Sequence, residues 1–303
     1  MNPKLEYKEE QRKRNSFYAS DSCKLGIDIT LELQDTPKTN PTLWNNTLRM
    51  AAGKGVELQM IDILKQNNII DKDYDQEKIP TTSIIRNGIE IRMRFDAIIK
   101  KGGAILKGED SRLPNNVEIK LEEGEVLEIK SINNKNSFDI QDYINNNPRE
   151  SYVMQLSMYM DALEKERGHL FVSAIDGLNY FWFVCNRLHD RVYQCGNVVV
   201  DLDKEYARFA EIWANKDKEP NWFEETYKLD LEKIDWTKLS AGNISKARNN
   251  ALVIGSEGKF KIDYSPYKDL IIQKQGATKG YTNEELAVIA VKTKNYTTWN
   301  KTK

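Results

Sequence analysis

Glu128 and Lys130 stand two positions apart in the aliphatic run EVLEIKSI, residues 125–132, which reads as a half-buried strand. Period-two geometry places both side chains on one face of that strand, within a few ångströms of each other. For a lone E-x-K the plainest reading is an ion pair at a sheet edge. Asp96 shifts that weighing. In RFDAII it lies on the polar face of the preceding long strand and interrupts a run that is turning apolar. A carboxylate there is expensive unless it is paired, protonated or bound to metal. Side by side on neighbouring strands, Asp96 and Glu128 supply the hard oxygen ligands that Mg²⁺ or Mn²⁺ prefers. Lys130 then sits beside the ion, where it can orient a water and help neutralise charge developing on a phosphate.

Two further stretches bear on the same chemistry. Glu57 follows GKGV in the middle of an amphipathic segment and can reach the carboxylates or their water shell from the opposite side; its plain alternative is a solvent-facing helical Glu. In SYVMQLSMYMDAL, Tyr152, Gln155 and Tyr159 fall at i, i+3 and i+7, so one helix face carries three polar ends. A packing stripe with tyrosines at its margin is the alternative, and Gln155 is awkward within it. With only His169 and His189, neither in ligand spacing, zinc and His-metal hydrolases have little to work with. There is no G-x-x-x-x-G-K-[ST] stretch, and GATKG reads as a turn, so strand separation would have to come from another protein.

These residues need elements to hold them. Leu48, Ala52, Val56, Met60 and Ile63 recur at helical spacing over 47–66. Over 81–132 the period changes: Ile89, Ile91, Met93 and Phe95 alternate with Glu90, Arg92, Arg94 and Asp96, the mark of a strand with one wet face. The turn-rich segment from Lys100 to Gly124 predicts an added hairpin. A helix is predicted from about 148 to 167 and strands near 169–175, 179–185 and 191–200. A helix over 203–216 follows, with Tyr206, Phe209, Ile212 and Trp213 on one stripe. That order predicts an α/β protein, a mixed sandwich rather than a regular parallel array.

The 303 residues are 40% hydrophobic and 30% charged with 8 Pro, a globular composition long enough for one large or two ordinary domains. Three segments are expected: a lead over 1–45 whose first 22 residues are polar and flexible or loosely helical, a core over 46–220, and a C-terminal extension over 221–303. Within 217–240, Trp222, Phe223 and Trp236 suggest an arm on the core or a link to the tail, and Thr282 or Asn283 a cap for a last short helix. The opening residues lack the apolar core of a signal peptide and no run approaches the roughly 18 apolar residues of a membrane span. A soluble cytoplasmic protein without membrane partners is expected. Net charge is −1, but 228–303 holds 14 Lys and Arg against 8 Asp and Glu. That excess fits either contact with a phosphate backbone or a solvated basic surface.

Taken together, the sequence resembles the PD-(D/E)xK nuclease superfamily, and within it the RecB-like branch of phage and CRISPR-associated exonucleases. The likeness rests on GVELQ, RFDAI, LEIKS and QLSMY, in the family's order over residues 47–165, slightly more than a third of the chain. It implies a restriction-endonuclease-like core, a central mixed β-sheet flanked by helices. The implied activity is metal-dependent hydrolysis of DNA phosphodiester bonds, as an exonuclease or end-processing enzyme in recombination, repair or phage DNA metabolism, in the host cytoplasm if phage-encoded. By the same resemblance Asp96, Glu128 and Lys130 are catalytic. Glu57 joins Asp96 and Glu128 on Mg²⁺ or Mn²⁺, while Gln155, Tyr159 and Tyr152 support the site or touch the DNA backbone. DNA is the implied partner, with a helicase, recombinase or single-strand-binding protein as companions, and relatives include both monomers and rings. The alternative is a catalytically silent DNA-binding or scaffold module on the same fold. Three departures stand out: an insertion looped out between Asp96 and Glu128, Glu57 where many relatives carry His, and the cysteines. Several relatives bind an iron-sulfur cluster through four Cys, whereas this chain has only Cys23, Cys185 and Cys195, so no cluster is expected.

Overall fold

In the computed structural model, the run VLEIKSI forms β7 (Val126–Ile132), paired in parallel with β8 (Arg167–Ala174) from Val126↔Gly168 to Ile132↔Ala174. The structure describes residues 14–40, 44–75, 81–106, 118–132, 137–175, 180–225, 227 and 257–276. Parallel neighbours need a crossover, and the chain between them supplies α3 (Ser137–Ile144) and α4 (Glu150–Ala162). β7 pairs on its other side with the two-residue β4 (Ala97–Ile98), antiparallel. β8 leads antiparallel into β9 (Tyr180–His189), β10 (Val192–Cys195) and β11 (Val198–Asp201), completing a six-stranded mixed sheet in the order β11-β10-β9-β8-β7-β4. A three-stranded sheet is ordered β1-β3-β2, from β1 (Phe17–Tyr18), β2 (Thr82–Arg86) and β3 (Ile89–Met93). β5 (Gly103–Leu106) and β6 (Glu118–Leu121) form the hairpin expected between 100 and 124. The chain is therefore an α/β protein with mixed sheets flanked by helices.

Alternation along β7 decides what each helix meets. Leu127 and Ile129 join Ile61 and Leu64 of α2 (Trp44–Gln66), with Phe171 and Trp182, in one apolar cluster. Lys130 points the other way and lies over the Tyr152 ring of α4. The half-buried strand expected from sequence is thus covered on both faces, as parallel strands usually are. Helix α2 can approach because Gly53 presents no side chain: a Cβ there would meet Ser131 Oγ at 2.3 Å. Glu57, one turn further along α2, is carried toward the carboxylates by the same approach.

Other expectations are corrected. The long strand through 89–96 is two strands in two sheets: β3 ends at Met93 and the chain crosses to β4, so Asp96 stands at the entrance of β4 and not within a strand. The strand over 191–200 is a hairpin. It turns at Gly196, whose φ is +58 and where a Cβ would meet the Asn146 carbonyl at 2.4 Å. Gly196→Ala is expected to lose about 2 kcal/mol of stability through left-handed strain and the clash, read from urea unfolding. An unchanged midpoint would mean that the loop before α4 yields freely. The expectation of a flexible lead is also revised for its described residues, 14–22. Phe17 is fully buried in β1, paired in parallel with β3, and stacks on Phe209 of α5 (Leu202–Ala214) at 4.6 Å.

The chain divides into two compact units. Among the described residues, one holds 15–23 and those between 44 and 214; the other joins 14 and 24–40 to 215–225, 227 and 257–276. In the second unit α1 (Gly26–Leu33) packs Leu25, Ile27 and Leu31 against Ile262 of α6 (Glu257–Tyr264), Ile271 of α7 (Lys268–Lys274), Tyr227 and Tyr267. The Gly26 and Ile27 amides, orphans of the first turn, each donate to the Glu224 carboxylate at 2.8 Å. Gln34 Nε2 donates to the Lys216 and Lys218 carbonyls at 2.8 and 2.7 Å. The Trp222 segment is therefore tied to α1. Trp236, Thr282, Asn283 and GATKG lie outside the described residues. No helix among the described residues is long and apolar enough to cross a membrane.

Candidate metal centre

The β4–β7 register sets Ala97 opposite Leu127, which brings Asp96 next to the E-x-K stretch. The Ile129 N–H donates to Asp96 Oδ2 at 2.7 Å, fixing the carboxyl against β7. Glu128, 1% exposed, forms an ion pair through Oε1 with Lys130 Nζ. Its Oε2 is buried and has no hydrogen-bond partner among the described residues. A buried carboxylate oxygen without a donor is a costly arrangement in any resting protein, and its position beside Asp96 fits a cation-binding oxygen.

The electrostatics agree with that fit. Burial pushes the Asp96 carboxyl well above the ordinary range; the Glu128 charge adds to the rise, with a smaller push from Glu57, against Lys130 and the Ile129 N–H. Glu128 is likewise raised, by burial first, with Lys130 and a side-chain hydrogen bond to Asp96 opposing. Burial alone would lower Lys130, but Glu128 and Asp96 outweigh it and hold the ammonium above its usual value. Two carboxyls that resist ionising together want one more positive charge between them. Mg²⁺ or Mn²⁺, hard and oxygen-seeking, would supply it.

The other residues named from sequence divide. Gln155 Nε2 donates to Tyr159 Oη at 2.5 Å, both are buried, and Phe95 packs edge-on against the Tyr159 ring at 6.4 Å. Burial and the Glu128 charge hold Tyr159 above the ordinary phenol range, so its O–H remains a donor. Tyr152 carries Lys130 Nζ 5.6 Å above its ring and accepts from Arg149 at 3.3 Å. Glu57 lies near enough for its charge to raise Asp96 and Glu128, but it pairs with Lys54 at 2.9 Å. Among the described residues no group of three or more His, Cys, Asp and Glu side chains converges closely enough to hold a metal ion. Asp96 and Glu128 are brought together; Glu57 stands off from them.

Sequence reasoning missed Tyr74, whose hydroxyl donates to the Asp96 carbonyl and whose phenol is raised by burial and then by the Asp96 and Glu57 charges. Nothing in YDQEK marks it. It also passed over Arg94. With Tyr18, Thr81, Arg92, Gln155 and Tyr159, this residue lines a pocket of about 320 Å³. His169 belongs to a buried chain of structural bonds: Trp182 Nε1 donates to Nδ1 at 3.1 Å, leaving Nε2 to donate to Glu125 at 2.7 Å. Cys185 and Cys195 are buried cross-strand partners on β9 and β10, and all three cysteines are free thiols.

No family model matches the chain, and no curated protein matches it. Among solved structures it is similar to the one titled "Crystal structure of SSO0001", with 16% sequence identity over 70% of this chain and 82% of that chain and a TM-score of 0.37. A likeness at that level identifies neither a family nor an activity.

Proposed function

We infer that the protein is a metal-dependent DNA nuclease on a PD-(D/E)xK core. The observation that carries this reading is buried Glu128 with Lys130 beside it on β7 and Asp96 at the entrance of the neighbouring β4, Glu128 Oε2 having no hydrogen-bond partner among the described residues. Asp96 and Glu128 would hold Mg²⁺ or Mn²⁺, with Glu57 within electrostatic reach of both. The ion supplies Lewis acidity toward a phosphodiester. Lys130, a cation through its pair with Glu128, is 23% exposed at the side chain, so Nζ can turn from that pair to a phosphate oxygen as charge develops there. Gln155 fixes the Tyr159 oxygen as acceptor and thereby aims the phenol proton elsewhere, toward an incoming oxyanion. The Ile129 amide keeps Asp96 in place throughout. The preference for ends, and a role in recombination, repair or phage DNA metabolism, rest on the resemblance of the four motifs.

A silent DNA-binding or scaffold module is the second reading, favoured by the Lys54–Glu57 pair and by the lack of a converged three-ligand group among the described residues. One experiment separates them. End-labelled linear and covalently closed circular DNA are incubated with the full chain in Mg²⁺, in Mn²⁺ and in EDTA. Loss of the linear form alone, only with metal, is the expected result. No cleavage in either metal, with DNA still bound, would instead establish the silent module.

A further inference from the structure

The pocket lined by Arg94 shares two walls, Gln155 and Tyr159, with the carboxylate site. We propose that it is a single-nucleotide subsite that seats one unpaired nucleotide of the strand to be cut. The substrate class is then single-stranded or frayed DNA rather than fully paired duplex, an inference that rests on the nuclease reading.

Three features argue for a nucleotide. The first is size: about 320 Å³ is at the low end of volumes that enclose an organic ligand, on the order of 300–1,000 Å³, far more than a bare phosphate needs and too little for a pair of nucleotides. The second is charge. Arg92 shares its cation with Glu90 at 3.0 Å, whereas Arg94 is exposed and makes no ion pair among the described residues, so the pocket keeps a guanidinium suited to phosphate. The third is an aromatic surface. Tyr18, 42% exposed, is held at the rim by its β1 register with Arg92 and by its amide bond to Asp21 at 2.7 Å. A base can stack on that ring without sequence preference. Gln155 and Tyr159 then join the seated nucleotide to the neighbouring phosphate at Asp96 and Glu128.

The test uses the full chain in EDTA, where binding is read without cleavage. Fluorescence anisotropy compares a labelled (dT) octamer with a blunt hairpin duplex. Unlabelled dAMP, deoxyadenosine and inorganic phosphate serve as competitors. Wild type should favour the octamer, and dAMP should compete where equal concentrations of deoxyadenosine or phosphate do not. Tyr18→Ala should weaken octamer binding by about tenfold or more. Arg94→Ala should weaken it and reduce the salt dependence by about one ion. Both side chains are exposed, so the folds of the variants are expected to stay intact, and near-wild-type melting would verify it. Phosphate competing as well as dAMP, duplex binding as tightly as the octamer, or both variants binding like wild type would each overturn the proposal. A parallel Mg²⁺ cleavage assay keeps the two inferences apart. Binding as described without cleavage would sink the nuclease reading alone, and cleavage with unchanged variants would sink the subsite alone.

Discussion

Lys130→Ala is expected to slow DNA cleavage by about 10³-fold, about 4 kcal/mol of lost transition-state stabilisation, the scale set by removing one preorganised donor from a developing charge. On the proposed nuclease reading the loss should fall on kcat rather than KM, because in the resting site Nζ is occupied by Glu128 and would become available to a phosphate only as charge builds. A complication lies in stability, since removing Lys130 leaves Glu128, 1% exposed, without its counter-ion. Metal resolves it. If a divalent cation sits between Asp96 and Glu128, saturating Mg²⁺ should raise the melting temperature of Lys130→Ala by more than it raises wild type. At 100 times Kd the general linkage is about 2.7 kcal/mol. Asp96→Asn should lose both the cleavage and the Mg²⁺-dependent stabilisation. Thermal melting with Mg²⁺ and with EDTA, beside single-turnover cleavage, reads both quantities. A Lys130→Ala variant that cuts DNA at the wild-type rate would leave the pair as a structural bridge.

The parts of this site that could be read from sequence are those governed by short-range periodicity. Glu128 and Lys130 share a face because the strand period is two, and Gln155 and Tyr159 meet because i and i+4 lie one above the other on a helix. The aliphatic residues between the charges, Leu127 and Ile129, marked a strand but not its second covered face, because that cover comes from α2, some 65 residues earlier. Asp96 stands out in the sequence as a carboxylate entering an apolar run, yet the alternation sets it within one long strand. What breaks the strand is the change of sheet between Met93 and Ala97, and pairing partners are not local information. GIDITLEL shows the same limit more sharply. Ile27, Ile29, Leu31 and Leu33 alternate as a strand would, but the segment is a helix buried nearly all round, its first amides satisfied by Glu224 almost 200 residues away. Tertiary burial overrides local pattern there. Glu57 stands between these cases, carried by its helix within electrostatic reach of Asp96 and Glu128 while Lys54, one turn before it, pairs with it.

The same burial of α1 predicts that the second unit grows more stable as pH falls. Asp28 is buried and its pKa is raised to about 6, chiefly by burial, with the Glu32 and Glu224 charges adding; the Ser265 hydrogen bond and Lys24 work against the rise. The native carboxyl thus holds its proton over a range, from about 3.8 to about 6, in which the unfolded one has released it. The folded state binds more protons there, so the stability associated with Asp28 is greatest at low pH and is lost as pH rises through that window. Above it the deficit reaches about 3 kcal/mol, at about 1.36 kcal/mol per pKa unit. Asp28→Asn removes the titration but keeps an oxygen to accept from the Ser265 hydroxyl, which donates to Asp28 at 2.6 Å. The variant should exceed wild type by about 3 kcal/mol at pH 7.5, shrinking to about a third of that near pH 4.5. Hydrogen exchange of the α1 amides, corrected for intrinsic rates, reports this unit without requiring that the whole chain unfold in one step. Equal protection of variant and wild type at pH 7.5, or an advantage that does not change with pH, would mean that Asp28 stays ionised in the folded chain and that its neighbours, the Ser265 hydroxyl first and then Lys24, outweigh its burial.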